Sequence, residues 1–252
     1  MDDQKYKVYT FYRFCKIKNV KNIKQQLDIY LKEKYLKGTI LISSEGINAS
    51  ISGKIEELDK VLMITKKLLN VRKLTLKKND IDFIPFNRMK VRLKKEIVSL
   101  GKGKINTNKS KIYVHPSKWD ELLKNSDIKL IDVRNIYEIG IGKFKGSINP
   151  NTLNFRKFPE KFQNLKIEKN QKIAMYCTGG IRCEKASAYL SNKGYKNLYQ
   201  LEGGILNYLE YMKNREKIPN WKGECFVFDN RVTVNKSLGM GNYTQCFGCR
   251  HP

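Results

Sequence analysis

Tyr176-Cys177-Thr178-Gly179-Gly180-Ile181-Arg182-Cys183-Glu184-Lys185 is the stretch whose reading decides the fold. Just before it, Ile173-Ala174-Met175-Tyr176 is a compact apolar run bounded by Lys172 and Cys177, the pattern of a buried strand. Just after it, Ala186, Tyr189 and Leu190 share one face of a helix over 183–193. A strand, a tight loop and a helix in that order belong to an open α/β sheet. Their loop lies at the carboxyl edge, where such sheets bind ligands. Cys177 opens the loop. The helix N-terminus presents unpaired N–H groups and a partial positive charge, and both favour a thiolate over a thiol. Gly179 and Gly180 let the backbone of Thr178, Gly179, Gly180 and Ile181 curl into an anion-cradling nest. Arg182 adds a permanent cation at the loop's end. The alternative is an inert buried thiol after a strand, but two glycines and an arginine are poor core material. Cys177 and Arg182 are therefore the candidate catalytic pair.

Outward from the loop, strands and helices alternate. Lys129-Leu130-Ile131-Asp132-Val133 and Asn197 to Leu201 read as strands. Gly203-Gly204 opens a last helix through Leu206, Tyr208, Leu209 and Met212. This alternation predicts a parallel sheet over 114–217. Ser117 is expected to cap a helix through Trp119, Leu122 and Leu123, with Asp120 placed as in a capping box. His115, before Pro116, reads as a capping or packing residue. Residues 1–100 follow another plan. Tyr6 to Phe14 reads as a strand, Val20 to Leu31 as a helix, and Thr39 to Ile42 and Ile47 to Ser52 as strands. Ile55 to Leu68 reads as a second helix, with a final strand within Phe86 to Val98. The order β-α-β-β-α-β is ferredoxin-like. Residues 101–113 are polar, glycine-containing and basic, and read as a linker. Residues 218–252 form a cysteine-bearing tail, with Trp221, Phe226 and Phe228 expected to anchor it by burial.

The chain carries a net charge of +26, which raises the local concentration of polyanions. Most of the cations are lysine, and Asn and Ile are abundant too, a bias that an AT-rich genome produces on its own. Acidic residues did not rise in step, so nucleic acid is the expected partner. The basic contact surface is expected in the N-terminal unit and in 102–111. No apolar run approaches the ~18 residues of a membrane helix. Met1 to Lys5 begin no secretory signal, so the expected location is the cytoplasm. Six cysteines in a reducing compartment point to catalysis or metal rather than disulfides. Cys246-x2-Cys249 has zinc-ligand spacing, and Cys225 with His251 would complete a four-ligand structural site. Reduced thiols in a packed tail are the alternative. Gly101-x-Gly103 lacks the setting of a dinucleotide site, and two histidines leave no clear facial triad for iron. No cofactor is evident.

Cys177-x4-Arg182 resembles the active loop of rhodanese domains, and Asp132-Val133-Arg134, Tyr137-Glu138 and Lys145-Gly146-Ser147-Ile148 resemble their other signature. Two departures stand out: Gly142-Lys143-Phe144 replaces the usual Gly-His-Ile, and Cys183 replaces a usual Ser or Thr. With Ser44-Glu45-Gly46-Ile47-Asn48, Leu201-Glu202-Gly203-Gly204-Ile205 and Cys225-Phe226-Val227-Phe228-Asp229, the chain resembles the bacterial tRNA wobble-uridine hydroxylases over nearly its whole length. The resemblance implies an acylphosphatase-like domain joined to a rhodanese domain. It implies conversion of the wobble uridine to 5-hydroxyuridine with molecular oxygen and an electron donor that the sequence does not name. Cys177 would be the active residue, of the persulfide type, with Asp132, Arg134 and Cys183 in support. On this reading Cys177 attacks or oxidises near uracil C5, while Arg182 and the loop amides hold an anionic intermediate. The substrate would be tRNA, met at its anticodon loop. Two rivals stand beside it. A sulfurtransferase would pass persulfide sulfur from the same loop. A non-catalytic tRNA-binding protein would not need Cys177 and Arg182.

Overall fold

The computed structural model describes residues 6–103, 105–107, 111–248 and 252, and the chain divides into two compact units, Met1–Ser99 and Leu100–Pro252. In the first, β1 (Tyr6–Phe14), α1 (Val20–Leu31), β2 (Lys37–Ser43), β3 (Gly46–Lys54), α2 (Ile55–Leu69) and β4 (Thr75–Ile81) complete the ferredoxin-like plan. An added strand, β5 (Met89–Leu93), gives the order β4-β1-β3-β2-β5. All pairs are antiparallel except β2 with β5. The strand expected within 86–98 is thus the fifth. The fourth, Thr75-Leu-Lys-Lys-Asn-Asp-Ile, has no apolar alternation because it lies at a sheet edge with few buried positions. Both helices cover one face. Leu27 and Leu31 of α1 and Leu58 and Leu62 of α2 pack on Tyr9, Phe11, Ile40, Ile42, Ile47 and Ile51.

The second unit holds a four-stranded parallel sheet, as the alternation predicts. Its strands are β6 (Ile112–Val114), β7 (Ile128–Asp132), β9 (Lys172–Tyr176) and β10 (Leu198–Leu201), in the order β6-β10-β9-β7. The first of these begins inside the segment read as a linker. Around the sheet run α3 (Pro116–Leu122), α4 (Ile136–Ile141), α5 (Phe158–Gln163), α6 (Ile181–Asn192) and α7 (Gly204–Lys213). The cap of α3 is His115, whose ring nitrogen accepts the Ser117 N–H at 3.2 Å. Ser117 is not the cap, and Asp120 instead accepts the Tyr208 hydroxyl at 2.9 Å.

The tail is stitched into this unit. β11 (Trp221–Gly223) pairs antiparallel with β8 (Gly142–Phe144), and β12 (Cys225–Phe226) pairs with β13 (Thr233–Val234). Phe144 is an aromatic hub, with ring centroids 4.8 Å from Tyr176, 4.9 Å from Tyr208, 5.2 Å from Trp221 and 6.1 Å from Trp119. The departure at Gly142-Lys143-Phe144 therefore has a packing reason, since Phe144 and Trp221 fill one core together. Trp221 and Phe226 are buried as expected. Phe228 is not: 62% of it is exposed.

Candidate active site

Cys177 directly follows the last residue of β9, and α6 begins four residues later. The turn between them passes through Gly180 at φ +93°, a left-handed conformation that favours glycine. That turn brings the Gly180 N–H within 3.2 Å of the Cys177 sulfur. Cys177 itself is fully buried. Burial alone would push its thiol up. A hydrogen bond from the Cys183 thiol, the charge of Arg182, and the backbone N–H groups of Cys183 and Arg182 outweigh burial and bring it down to about 6. Cys183, buried beside the thiolate, is pushed well up by that burial and by its bond to Cys177. The two sulfurs thus divide into an anion and its donor.

Arg182 does not stand free at the rim of the loop. It is buried, and two of its nitrogens donate to the Glu138 carboxylate at 2.6 and 2.8 Å. It also donates to the Thr178 hydroxyl at 3.2 Å. Burial alone would raise the Glu138 carboxyl; the charge and hydrogen bonds of Arg182, helped by Arg134 and the Asn135 N–H, hold it below its ordinary range. Glu138 is set by α4. Its side chain accepts the Asn135 N–H at 3.0 Å in a capping box, which aims the carboxylate inward.

Arg134 braces this from behind. It binds Asp132 through Nε at 2.9 Å and Nη2 at 2.6 Å, and donates to the carbonyls of Glu138 at 3.2 Å and Gly142 at 2.6 Å. Its guanidinium lies 5.0 Å from the Trp221 ring centroid. Asp132 and Arg134 are therefore supports, linking the end of β7 to α4 and β8. A second brace comes from α7. The N–H groups of Ile205 and Leu206 donate to the carbonyls of Cys177 and Thr178 at 3.0 and 3.1 Å. Gly204, at φ +68°, abuts the loop so closely that a β-carbon there would sit 2.4 Å from the Cys177 oxygen. On the far side Gln200 donates to the Gly180 carbonyl at 3.3 Å and to Glu184 at 3.2 Å. Glu184 also receives Tyr113 and Lys111. Lys111, expected among the contact cations, is thus committed to a buried ion pair. Residues 104 and 108–110 of that segment lie outside the described residues.

Two family models match the chain: a UPF0176 acylphosphatase-like domain over 6–97 and a rhodanese-like domain over 115–211. A tRNA uridine(34) hydroxylase of Pelagibacter ubique is 46% identical over 248 residues, which is 98% of this chain and 81% of that one. One of Picosynechococcus is 46% identical over 97% of this chain and 82% of its own length. The chain belongs to the tRNA uridine(34) hydroxylase family. A solved rhodanese-related protein from Thermoplasma volcanium is 28% identical over 40% of this chain and 92% of that one, with a TM-score of 0.34.

Two residues that hold the loop from neighbouring helices, Glu138 in α4 and Gly204 in α7, were not picked out as site residues from sequence. Glu138 was noted only within a signature, and Gly204 only as a helix opener. Phe228 is a third. Its exposed ring has its centroid 5.8 Å from the Arg182 guanidinium carbon and stands edge-on to Phe226 at 5.0 Å. The tail cysteines divide. Cys225 is fully buried, and burial pushes its thiol up to about 12. Cys246 is exposed, while Cys249 and His251 lie outside the described residues. Among the described residues no group of three or more His, Cys, Asp or Glu is placed to hold a metal ion.

The thiolate has a direct readout. A lowered ionisation midpoint means that the anion is present above it and lost as pH falls through about 6. The rate of Cys177 alkylation by iodoacetamide should rise through that pH and level off by neutrality. In Cys183→Ala, which lacks the donor, the midpoint should move up. An unchanged midpoint would mean that Cys183 contributes nothing to the anion.

Proposed function

We infer that this chain hydroxylates the wobble uridine of tRNA to 5-hydroxyuridine, in the cytoplasm, with the anticodon loop as the part it meets. The observation that carries the reading is a buried thiolate held at a rhodanese-type loop in a chain 46% identical to tRNA uridine(34) hydroxylases. Replacing the uracil C5–H by C5–OH with molecular oxygen requires two further electrons and two protons, and the second oxygen atom leaves as water. A thiol reductant supplies both as it becomes a disulfide. Cys177 is the nucleophile of this site, and the Cys183 thiol, the charge of Arg182 and the backbone N–H groups keep it ionised. Anticodon-loop bases can be splayed out of their stack and laid on aromatic rings. Phe228 offers such a ring beside Arg182.

The purified protein, given tRNA, oxygen and a thiol reductant, should add the mass of one oxygen to a wobble uridine, read by mass spectrometry of nucleosides. Cys177→Ser should abolish the product, since a hydroxyl ionises too weakly to supply the anion. Strong, Cys177-dependent thiocyanate formation from thiosulfate and cyanide, with no change in any tRNA nucleoside, would favour sulfurtransfer instead.

Phe228→Ala should raise KM for tRNA by about 5- to 150-fold, the ~1–3 kcal/mol of a lost base stack, with kcat less affected. Phe228→Trp should restore it. An unchanged KM in the alanine variant would remove Phe228 from the site.

A further inference from the structure

The first unit has one sheet face that neither helix covers; the segment after β5 lies over part of it, where Asn48 donates to the Ile97 carbonyl at 3.1 Å, and Val8, Ser52 and Asn79 in one row of it are buried. Strand registers fix what lies on it. Across its middle run Lys77, Thr10, Ser50, Thr39 and Lys90, one from each of β4, β1, β3, β2 and β5. The Thr10 and Ser50 hydroxyls are 3.0 Å apart, which confirms that they share the face. All five residues are partly exposed. The neighbouring row adds exposed Arg92 opposite Leu41, and the row on the other side adds Lys37. No strand position on this face is Asp or Glu; Asp80 belongs to the opposite face, paired with Lys7.

Geometry and charge agree on a ligand. Five strands spaced ~4.8 Å apart put Lys77 and Lys90 about 19 Å from each other across the row. Along β5, Lys90 and Arg92 stand two residues apart, about 6.7 Å, close to the spacing of successive phosphates on a nucleic-acid strand, with exposed Arg88 one step before. The charges of Arg88 and Arg92, with a little burial, depress the Lys90 ammonium, so these cations crowd one another. Serine and threonine hydroxyls between cations suit phosphate and ribose oxygens. Tyr12, the aromatic residue in the row beside them, is buried, while Tyr6 and Phe14 at the two ends of the same face of β1 are partly exposed.

We propose that this helix-free face, through Lys77, Lys90 and Arg92 with the intervening hydroxyls, is the surface that binds the sugar–phosphate backbone of the tRNA substrate. The proposal rests on the reading that tRNA is the substrate. Contacts of this kind position the RNA without reading its sequence. They make affinity fall with salt as condensed counterions are released.

The experiment compares three full-length proteins: wild type, Lys77→Glu/Lys90→Glu/Arg92→Glu, and the control Lys21→Glu/Lys60→Glu/Lys67→Glu. The control makes the same charge change at exposed positions on α1 and α2. Binding of a tRNA transcript is titrated over a range of salt, and the Cys177 alkylation profile reports that the loop is intact. The face variant should lose at least about 10-fold in affinity, with a salt slope shallower by about one for each phosphate contact removed. The control should stay much closer to wild type. Equal losses in the two variants, or an unchanged slope in the face variant, would overturn the assignment while leaving tRNA as the substrate. A wild type that does not bind tRNA would overturn the substrate reading and the proposal together.

Discussion

The buried ion pair between Glu138 and Arg182 is the interaction on which the site depends. Taking two charges out of water costs several kcal/mol for each, and only good geometry with further hydrogen bonds offsets it. Here the guanidinium meets the carboxylate through two short bonds and also donates to Thr178, while the carboxylate takes the Asn135 N–H as well. The pair does two things at once. It ties α4 to the first turn of α6, and it keeps a cation against Cys177 where water cannot screen it. Its own placement is inherited. Asp132 fixes Arg134, and Arg134 holds the carbonyls of Glu138 and Gly142. Trp221 from the tail lies against Arg134. The tail is thus part of the scaffold behind the thiolate.

The loop is held from its other sides by backbone rather than charge. Two N–H groups at the start of α7 take the carbonyls of Cys177 and Thr178. Those bonds require α7 to approach more closely than any side chain at 204 permits. An anion that is fully buried yet ionised near neutral pH needs this kind of enclosure, because every donor must already be in place before the substrate arrives.

Much of this was legible in the sequence, and the limits have physical causes. The strand–loop–helix around Cys177 is a local pattern, and the local pattern held, down to the glycine that makes the turn. The parallel sheet followed from alternation, and the ferredoxin-like unit from element order. Glu138 was passed over as a site residue because its role is tertiary: it meets Arg182 across 44 residues, and its visible signal was only a capping box with Asn135. Lys111 looked like one more surface cation because nothing local shows that Glu184 waits for it inside the fold. Strand β4 went unread because an edge strand with few buried positions need not alternate. Phe228 looked like an anchor because an aromatic residue in a tail is usually buried. Its exposure beside Arg182 is a departure from good packing, and such departures gather at functional sites.

The most direct test is the ionisation midpoint of Cys177 in the double variant Glu138→Gln/Arg182→Met. Replacing both partners removes the cation without leaving a buried carboxylate unpaired, so the protein should still fold. If the ion pair holds the thiolate, the midpoint should move up from about 6 toward the ordinary thiol value of about 8.5, and reactivity at neutral pH should fall with it. A folded double variant whose midpoint stays near 6 would contradict the account, because the anion would then be held by the backbone and Cys183 alone.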